Sequence, residues 1–230
     1  MVLRRILLGW LATVAVVATG CSDDPPAGGS SLPDAGGLLR DAAAASKDIE
    51  SAHFTLTVNG AIDGLPVHSS EGDLTKDGAA KGTVDMDLLG QLFEGEFVLV
   101  DRSVYIKGPT GGYQKLPAAL VTNLYDPSAI LNPDKGIANV LANVQNPKTE
   151  AKESTEGAST YKVTGRASKD VVSGLVPGVN SDVDITFWLR EDNKQPVKAS
   201  VAVPGSDDKP ASVDVTLSDV DKPVTITAPA

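Results

Sequence analysis

The sequence predicts an α+β domain built on one wide antiparallel β-sheet. Short runs in which apolar and polar residues alternate fill most of the chain after residue 51, the mark of half-buried strands. Turn-forming residues, not long connections, separate most of these runs. Helical spacing is confined to a stretch before the first strand, an insert between residues 116 and 145, and a short segment after Ser168.

Leu39, Ala42, Ser46 and Ile49 recur at helical spacing, so Leu38 to Ile49 is read as an amphipathic helix. In the next run Phe54, Leu56 and Val58 share one face, and Thr55 and Thr57 share the other. Val67 to Leu74 forms a further strand. Thr83 to Leu88 follows, with Asp85 and Asp87 on one side and Val84, Met86 and Leu88 on the other. Phe97 to Val100 and Val104 to Lys107 flank an Asp101-Arg102-Ser103 turn. In the insert, Asp126-Pro127 reads as an N-cap followed by proline at the first helical position, and Asn132-Pro133 repeats the device. Ile137, Val140, Leu141 and Val144 then line one helical face, which Asn146-Pro147 ends. Strands return at Thr160 to Gly165, and Ser168 caps a short helix to Leu175. Val183, Ile185, Phe187 and Leu189 alternate next, followed by runs at 197–203, 213–217 and 224–226.

About nine strands with one apolar face each make a sheet that must curl or close, and that face needs a cover. The helices on offer are rich in Ala and Val. A curved sheet under thin helices can enclose an apolar cavity, as lipid-binding barrels do. The same alternation fits a solid core equally, because a pattern of faces does not report empty space.

The N-terminus points to export. Arg4 and Arg5 precede an uncharged apolar run from Ile6 to Ala18, too short to cross a bilayer comfortably and suited to a signal peptide. Ala18-Thr19-Gly20-Cys21 then forms a lipobox, and Cys21 is the single cysteine of the chain. A thiol at that junction accepts a diacylglyceryl group, and the small residues before it admit the signal peptidase. Residues 1–20 are therefore read as a lipoprotein signal peptide. Cys21 is read as the lipidation site, S-diacylglycerylated and open to N-acylation. Residues 21–37 form a Gly/Ser/Pro-rich tether, and residues 38–230 one domain. The tether reaches roughly 20–25 Å as a coil. The expected location is the extracytoplasmic (periplasmic) face of the cell membrane, held by the anchor.

Loss of Arg4 and Arg5 leaves 18 basic against 30 acidic side chains, a net charge of −12. That balance disfavours nucleic-acid binding, which rests on clustered Lys and Arg. With two histidines and one cysteine, a His/Cys metal site is not expected, nor is any cofactor. The chain lacks a G-x-S-x-G elbow, a G-x-G-x-x-G turn and a P-loop. Asp85 and Asp87 read as a solvated strand face rather than a glycosidase pair. An enzyme is the weaker class of hypothesis.

Three runs resemble a known family: Leu32-Pro33-Asp34-Ala35, Ser51 to Gly60 with Gly72-Asp73-Leu74-Thr75, and above all Tyr125 to Asn143. They are similar to the mycobacterial LppX/LprA/LprF/LprG lipoproteins. The resemblance covers the lipobox, the tether and most of the domain, and weakens after about Ser168. It implies a curved antiparallel half-barrel with helices on the concave side, LolA/LolB-like, around a large apolar pocket. It implies binding of triacylated envelope lipids there (phosphatidylinositol mannosides, lipomannan, lipoarabinomannan or triacylglycerol) and transfer toward the outer envelope with a major-facilitator (MFS) exporter. Val84 falls where the family has a pocket-lining valine. The full candidate lining is Leu56, Val58, Val84, Met86, Leu88, Phe97, Leu99, Ile137, Val140, Leu141, Ile185 and Phe187. The alternatives are a lipoprotein that docks on or assembles a transporter without carrying lipid, and an envelope hydrolase.

Overall fold

The computed structural model describes residues 31–88, 90–117, 126–176, 179–206 and 209–229. The lipobox, Cys21 and most of the tether lie outside the described residues.

Eleven antiparallel strands form a single open sheet: β1 (Ser51–Asn59), β2 (Val67–Thr75), β3 (Ala80–Leu88), β4 (Gln91–Val100), β5 (Ser103–Lys107), β6 (Gln114–Pro117), β7 (Gln145–Thr155), β8 (Ala158–Ala167), β9 (Val183–Arg190), β10 (Pro196–Pro204) and β11 (Pro210–Ser218). Strands β1–β6 make one meander and β7–β11 another, and pairing of β1 with β11 joins them. The edges are therefore β6 and β7, and the chain between them carries the insert from one edge of the sheet to the other.

Alternation puts the apolar residues on one inner face. In β9 Val183, Ile185, Phe187 and Leu189 are buried while Asp184 is exposed. Among the described residues, three helices cover that face: α1 (Ala35–Lys47), α2 (Ile137–Ala142) and α3 (Lys169–Val172), with a 3₁₀ turn at Pro127–Leu131. Helix α1 packs on α2 and touches β7. It buries Ala35, Leu38, Leu39, Ala42, Ala43 and Ser46, a stripe at i, i+3, i+4 and i+7 spacing.

Several elements differ from the sequence reading. Helix α1 starts at Ala35, inside the expected tether, because the Asp34 carboxylate accepts the Gly37 amide at 2.7 Å. That cap offsets the poor helix propensity of Gly36 and Gly37. Asp126 caps the 3₁₀ turn as expected, accepting from the Ser128 amide. Asn132, however, accepts from the Asp134 and Lys135 amides in a tight turn, and α2 starts later, after Gly136. Ser168 occupies the N-cap position of α3 without a side-chain cap bond. Strand β7 was not expected, since Gln145-Asn146-Pro147-Lys148-Thr149-Glu150 offers no apolar face. It is an edge strand, where Lys and Glu guard against pairing with other chains. Residues 224–226 are not a strand. β1 already has a partner on each side, and the Asp221 amide and carboxylate bond the Ser51 carbonyl and Glu50 amide, drawing the tail away.

Two glycines leave no room for a side chain between neighbouring strands. Gly72 and Gly82 face each other across β2 and β3. A Cβ on Gly72 would lie 2.0 Å from the Lys81 carbonyl oxygen and 2.7 Å from the Gly82 Cα. Gly72→Ala or Gly82→Ala is expected to cost about 2–3 kcal/mol through overpacking. Gly112→Ala, with nothing within 4 Å of its Cβ, should stay within about 0.5 kcal/mol of the parent. Denaturant unfolding of the three variants checks this.

Candidate functional site

A cavity of about 40 Å³ lies between the inner face of β9–β11 and the helical layer. Ile185 and Phe187 of β9, Ala199 and Val201 of β10, and Val213 and Val215 of β11 line the sheet side. The strand register brings them together: Phe187, Ala199 and Val215 are successive cross-strand partners, as are Ile185, Val201 and Val213. Ile130 of the 3₁₀ turn, Ile137 and Val140 of α2, and Val172, Leu175 and Val176 at α3 close the other side. Every lining side chain is hydrocarbon. The site can shelter apolar groups and offers no donor, acceptor or titratable side chain for acid–base or nucleophilic work.

The candidate residues divide by position. Ile137, Val140, Ile185 and Phe187 line this cavity. Leu141 is fully buried beside it in the core, and Leu56, Phe97 and Leu99 are buried on the inner face. Val58, Val84 and Met86 are half-buried and pack against that core. The side chain of Leu88 lies outside the described ones.

One row links the two groups. Phe187, Ala199, Val215, Leu56, Ser70 and Val84 are partners in sequence across β9, β10, β11, β1, β2 and β3. Val84 is three strand steps from the cavity at Val215, or about 14 Å. Ser70, the polar member of the row, donates to the Thr83 carbonyl at 2.8 Å. Sequence reasoning left out Ile130, Val172, Leu175, Val176, Ala199, Val201, Val213 and Val215. The strand residues among them carry a clear alternation signal, but which strands face the helices is decided only by the crossover of the insert.

Among the described residues this cavity has room for only a few water molecules. Ile137, Val140 and Val172, which line it, are buried.

The outer face is polar and mutually paired. The Ser69 hydroxyl donates to Asp85 at 2.7 Å, and His68 lies 3.0 Å from Asp87, so both acids are part of cross-strand contacts. Lys162 and Lys198 flank the Trp188 ring at 5.5 and 5.4 Å. The Lys152 ammonium, then the Ser159 hydroxyl, hold the Glu191 carboxyl below its ordinary range by hydrogen bonding. Among the described residues, no group of three or more His, Cys, Asp or Glu is placed to hold a metal ion. No helix there is long and apolar enough to cross a membrane.

The model of the LppX_LprAFG lipoprotein family matches residues 34–226. The chain belongs to this family. It is 38% identical to the "Lipoarabinomannan carrier protein LprG" of Mycolicibacterium smegmatis over 230 residues, covering 97% of this chain and 95% of that one. The protein of the same name from Mycobacterium tuberculosis is 36% identical, with 98% and 95% covered. Among solved structures, LprF from Mycobacterium bovis superposes with a TM-score of 0.76 at 29% identity, covering 86% of this chain and 98% of that one. LppX from Mycobacterium tuberculosis shares the fold, with a TM-score of 0.64 at 21% identity over 84% of this chain and 97% of that one. The single antiparallel half-barrel is thus the fold of the family.

The cavity and its surroundings respond differently to changes in volume. Ala199→Val places two more methyl groups against about 40 Å³ of space and should leave stability within about 1 kcal/mol of the parent or raise it. Leu141→Ala, in the packed core beside it, should cost about 2–5 kcal/mol. Thermal unfolding of both variants measures the contrast.

Proposed function

We propose that this protein is a membrane-anchored carrier that shields the acyl chains of envelope lipids on the inner face of its sheet. The observation that carries the reading is the all-hydrocarbon cavity held between sheet and helices, in a chain of a lipoprotein family whose relatives are named lipoarabinomannan carriers.

The energetics explain why such a protein is needed. A buried methylene gains about 0.8 kcal/mol over water, so a sixteen-carbon tail left in water is uphill by roughly 12 kcal/mol. An apolar site replaces the bilayer as solvent for the tail, which makes loading and unloading nearly balanced. The same physics accounts for a small cavity. A dry apolar hole costs about 24 cal/mol per Å³, so several hundred Å³ would cost on the order of 5–10 kcal/mol. That is as much as a whole domain's stability. A carrier of this design closes when empty and opens as a tail wedges α2 and α3 away from β9–β11. The helices suit that motion, with six and four residues. The tail then runs from the cavity along the row through Val215 and Leu56 toward Val84, and further tails spread over Val58, Met86, Phe97 and Leu99.

The cargo we propose is a triacylated glycolipid of the envelope (phosphatidylinositol mannoside, lipomannan or lipoarabinomannan) or triacylglycerol. An MFS exporter is the proposed partner in transfer, with Cys21 as the acylated anchor that keeps the carrier at the extracytoplasmic face. The small cavity also favours a second reading, a lipoprotein that docks on a transporter and holds no lipid. Native mass spectrometry of the full chain taken from its host separates the two: bound multi-acyl lipid supports the carrier, and repeated recovery of bare protein supports docking.

Two sets of variants test the reading further. Ala199→Leu fills the cavity and should cut extraction of labelled lipid from vesicles about tenfold or more, with the fold intact by circular dichroism. Val84→Trp should impair a multi-chain lipid more than a single fatty acid. If both folded variants extract lipid as the parent does, the carrier reading is wrong. Cys21→Ser should move the protein from the membrane fraction to the soluble fraction; retention in the membrane would refute the anchor.

A further inference from the structure

Among the described residues two large hydrophobic side chains are exposed, Leu92 at 63% and Leu32 at 40%. A single exposed leucine is ordinary on a protein surface. The place of Leu92 sets it apart. It stands at the tip of the β3–β4 hairpin, where the chain reads Leu88-Leu89-Gly90-Gln91-Leu92-Phe93 and Gly90 turns with φ at 79°. Leu92 pairs with Asp87 on the outer face, and Phe93 pairs with Met86 on the inner face, so the tip carries hydrocarbon on both sides. The turns at the opposite end of the sheet expose Asp77, Asp101, Arg102, Glu156 and Asp192 instead.

The row that runs from the cavity reaches this hairpin. Val84 pairs with Gly95 of β4, and the Phe93 ring lies against Gly95, with ring atoms 2.6 Å from where a Cβ would stand. A tail that leaves the cavity along Leu56 and Val84 therefore emerges beside Phe93.

The tether joins the body on the same row. Past Phe187 the row continues through Val163 to Thr149, whose hydroxyl donates to the Pro33 carbonyl at 2.8 Å. Leu32, the other exposed leucine, adjoins Pro33. Leu92 lies three residues beyond Gly95, about 10 Å along the strand. The chain from Cys21 to Pro33 spans at most about 40 Å. An acylated Cys21 thus keeps a bilayer within reach of the hairpin, and a tethered contact needs little affinity of its own.

We propose that the β3–β4 hairpin docks on the bilayer that holds the Cys21 anchor, with Leu92 and Phe93 entering the hydrocarbon at the point where the tail track ends. Asp87, 3.0 Å from His68, and Glu94 flank the tip and stay in water, which limits insertion to the tip. The proposal deepens the carrier reading and rests on it for the anchor and the cargo.

The test uses the acylated full chain in phosphatidylcholine nanodiscs. Acylation occupies the Cys21 thiol, so Leu92→Cys and Asp192→Cys each present one thiol for a spin label. Power saturation should show the label at position 92 open to lipid-dissolved oxygen and shielded from an aqueous nickel chelate, and the label at position 192 the reverse. Leu92→Ser, an exposed change that leaves the core intact, should slow transfer of labelled lipid from vesicles about fivefold, the loss of part of one leucine's burial. The amount of lipid bound at equilibrium should not change. A label at position 92 as open to the aqueous chelate as the one at position 192 overturns the docking; lipid still bound to that protein leaves the carrier reading standing. Burial of the label with transfer unchanged in Leu92→Ser overturns the link between hairpin and tail track. Burial of the label in a protein that binds no lipid overturns the carrier reading and leaves the docking.

Discussion

An eleven-stranded sheet with one apolar face must bury that face against a second layer. Among the described residues, α1, α2, α3 and the 3₁₀ turn belong to that layer. The insert between β6 and β7 crosses from one edge of the sheet to the other. Ile130, Ile137 and Val140 sit over β9–β11, and α1 packs on α2 from the other side. Gly72 and Gly82 face each other across β2 and β3, where an added Cβ would meet the neighbouring backbone.

The first cavity lies between the two layers. Hydrocarbon side chains line both sides of it, so an apolar group entering it meets no polar side chain of the lining. The outer face behaves in the opposite way. Its residues are tied in cross-strand pairs such as Lys198 with Asp214 at 3.0 Å, which fix register and keep the surface wet. The sheet is thus polar on one side and apolar on the other.

Strands rich in Val, Ile and Phe were legible because burial on one face leaves a period-two signature. β9, β10 and β11 follow their alternation almost residue for residue. Strand β7 left no such trace, since it is an edge strand whose side chains are exposed or only half-buried. The start of α1 was hidden by Gly36 and Gly37, whose propensity argues for coil until the Asp34 cap is known. Val224 and Ile226 alternate like a strand and lie in none, because an alternating pattern states a preference for a face and says nothing about whether a sheet edge is free. In the candidate lining, Ile185 and Phe187 stand at the cavity while Leu56 and Val84 stand further along the same row, a division the pattern alone does not contain.

The sequence by itself determined the strand faces, the capped turn at Asp126, the acidic balance and the motif at Cys21. Each of these is a local property, set by neighbours within a few residues of the chain. Only the tertiary structure decided which strands α2, α3 and the 3₁₀ turn cover and which side chains meet in the cavity beneath them. Those features arise from register and crossover between residues as distant as Val84 and Phe187. Volume, moreover, is a small difference between large packed surfaces, and no pattern along one strand records what stands opposite it.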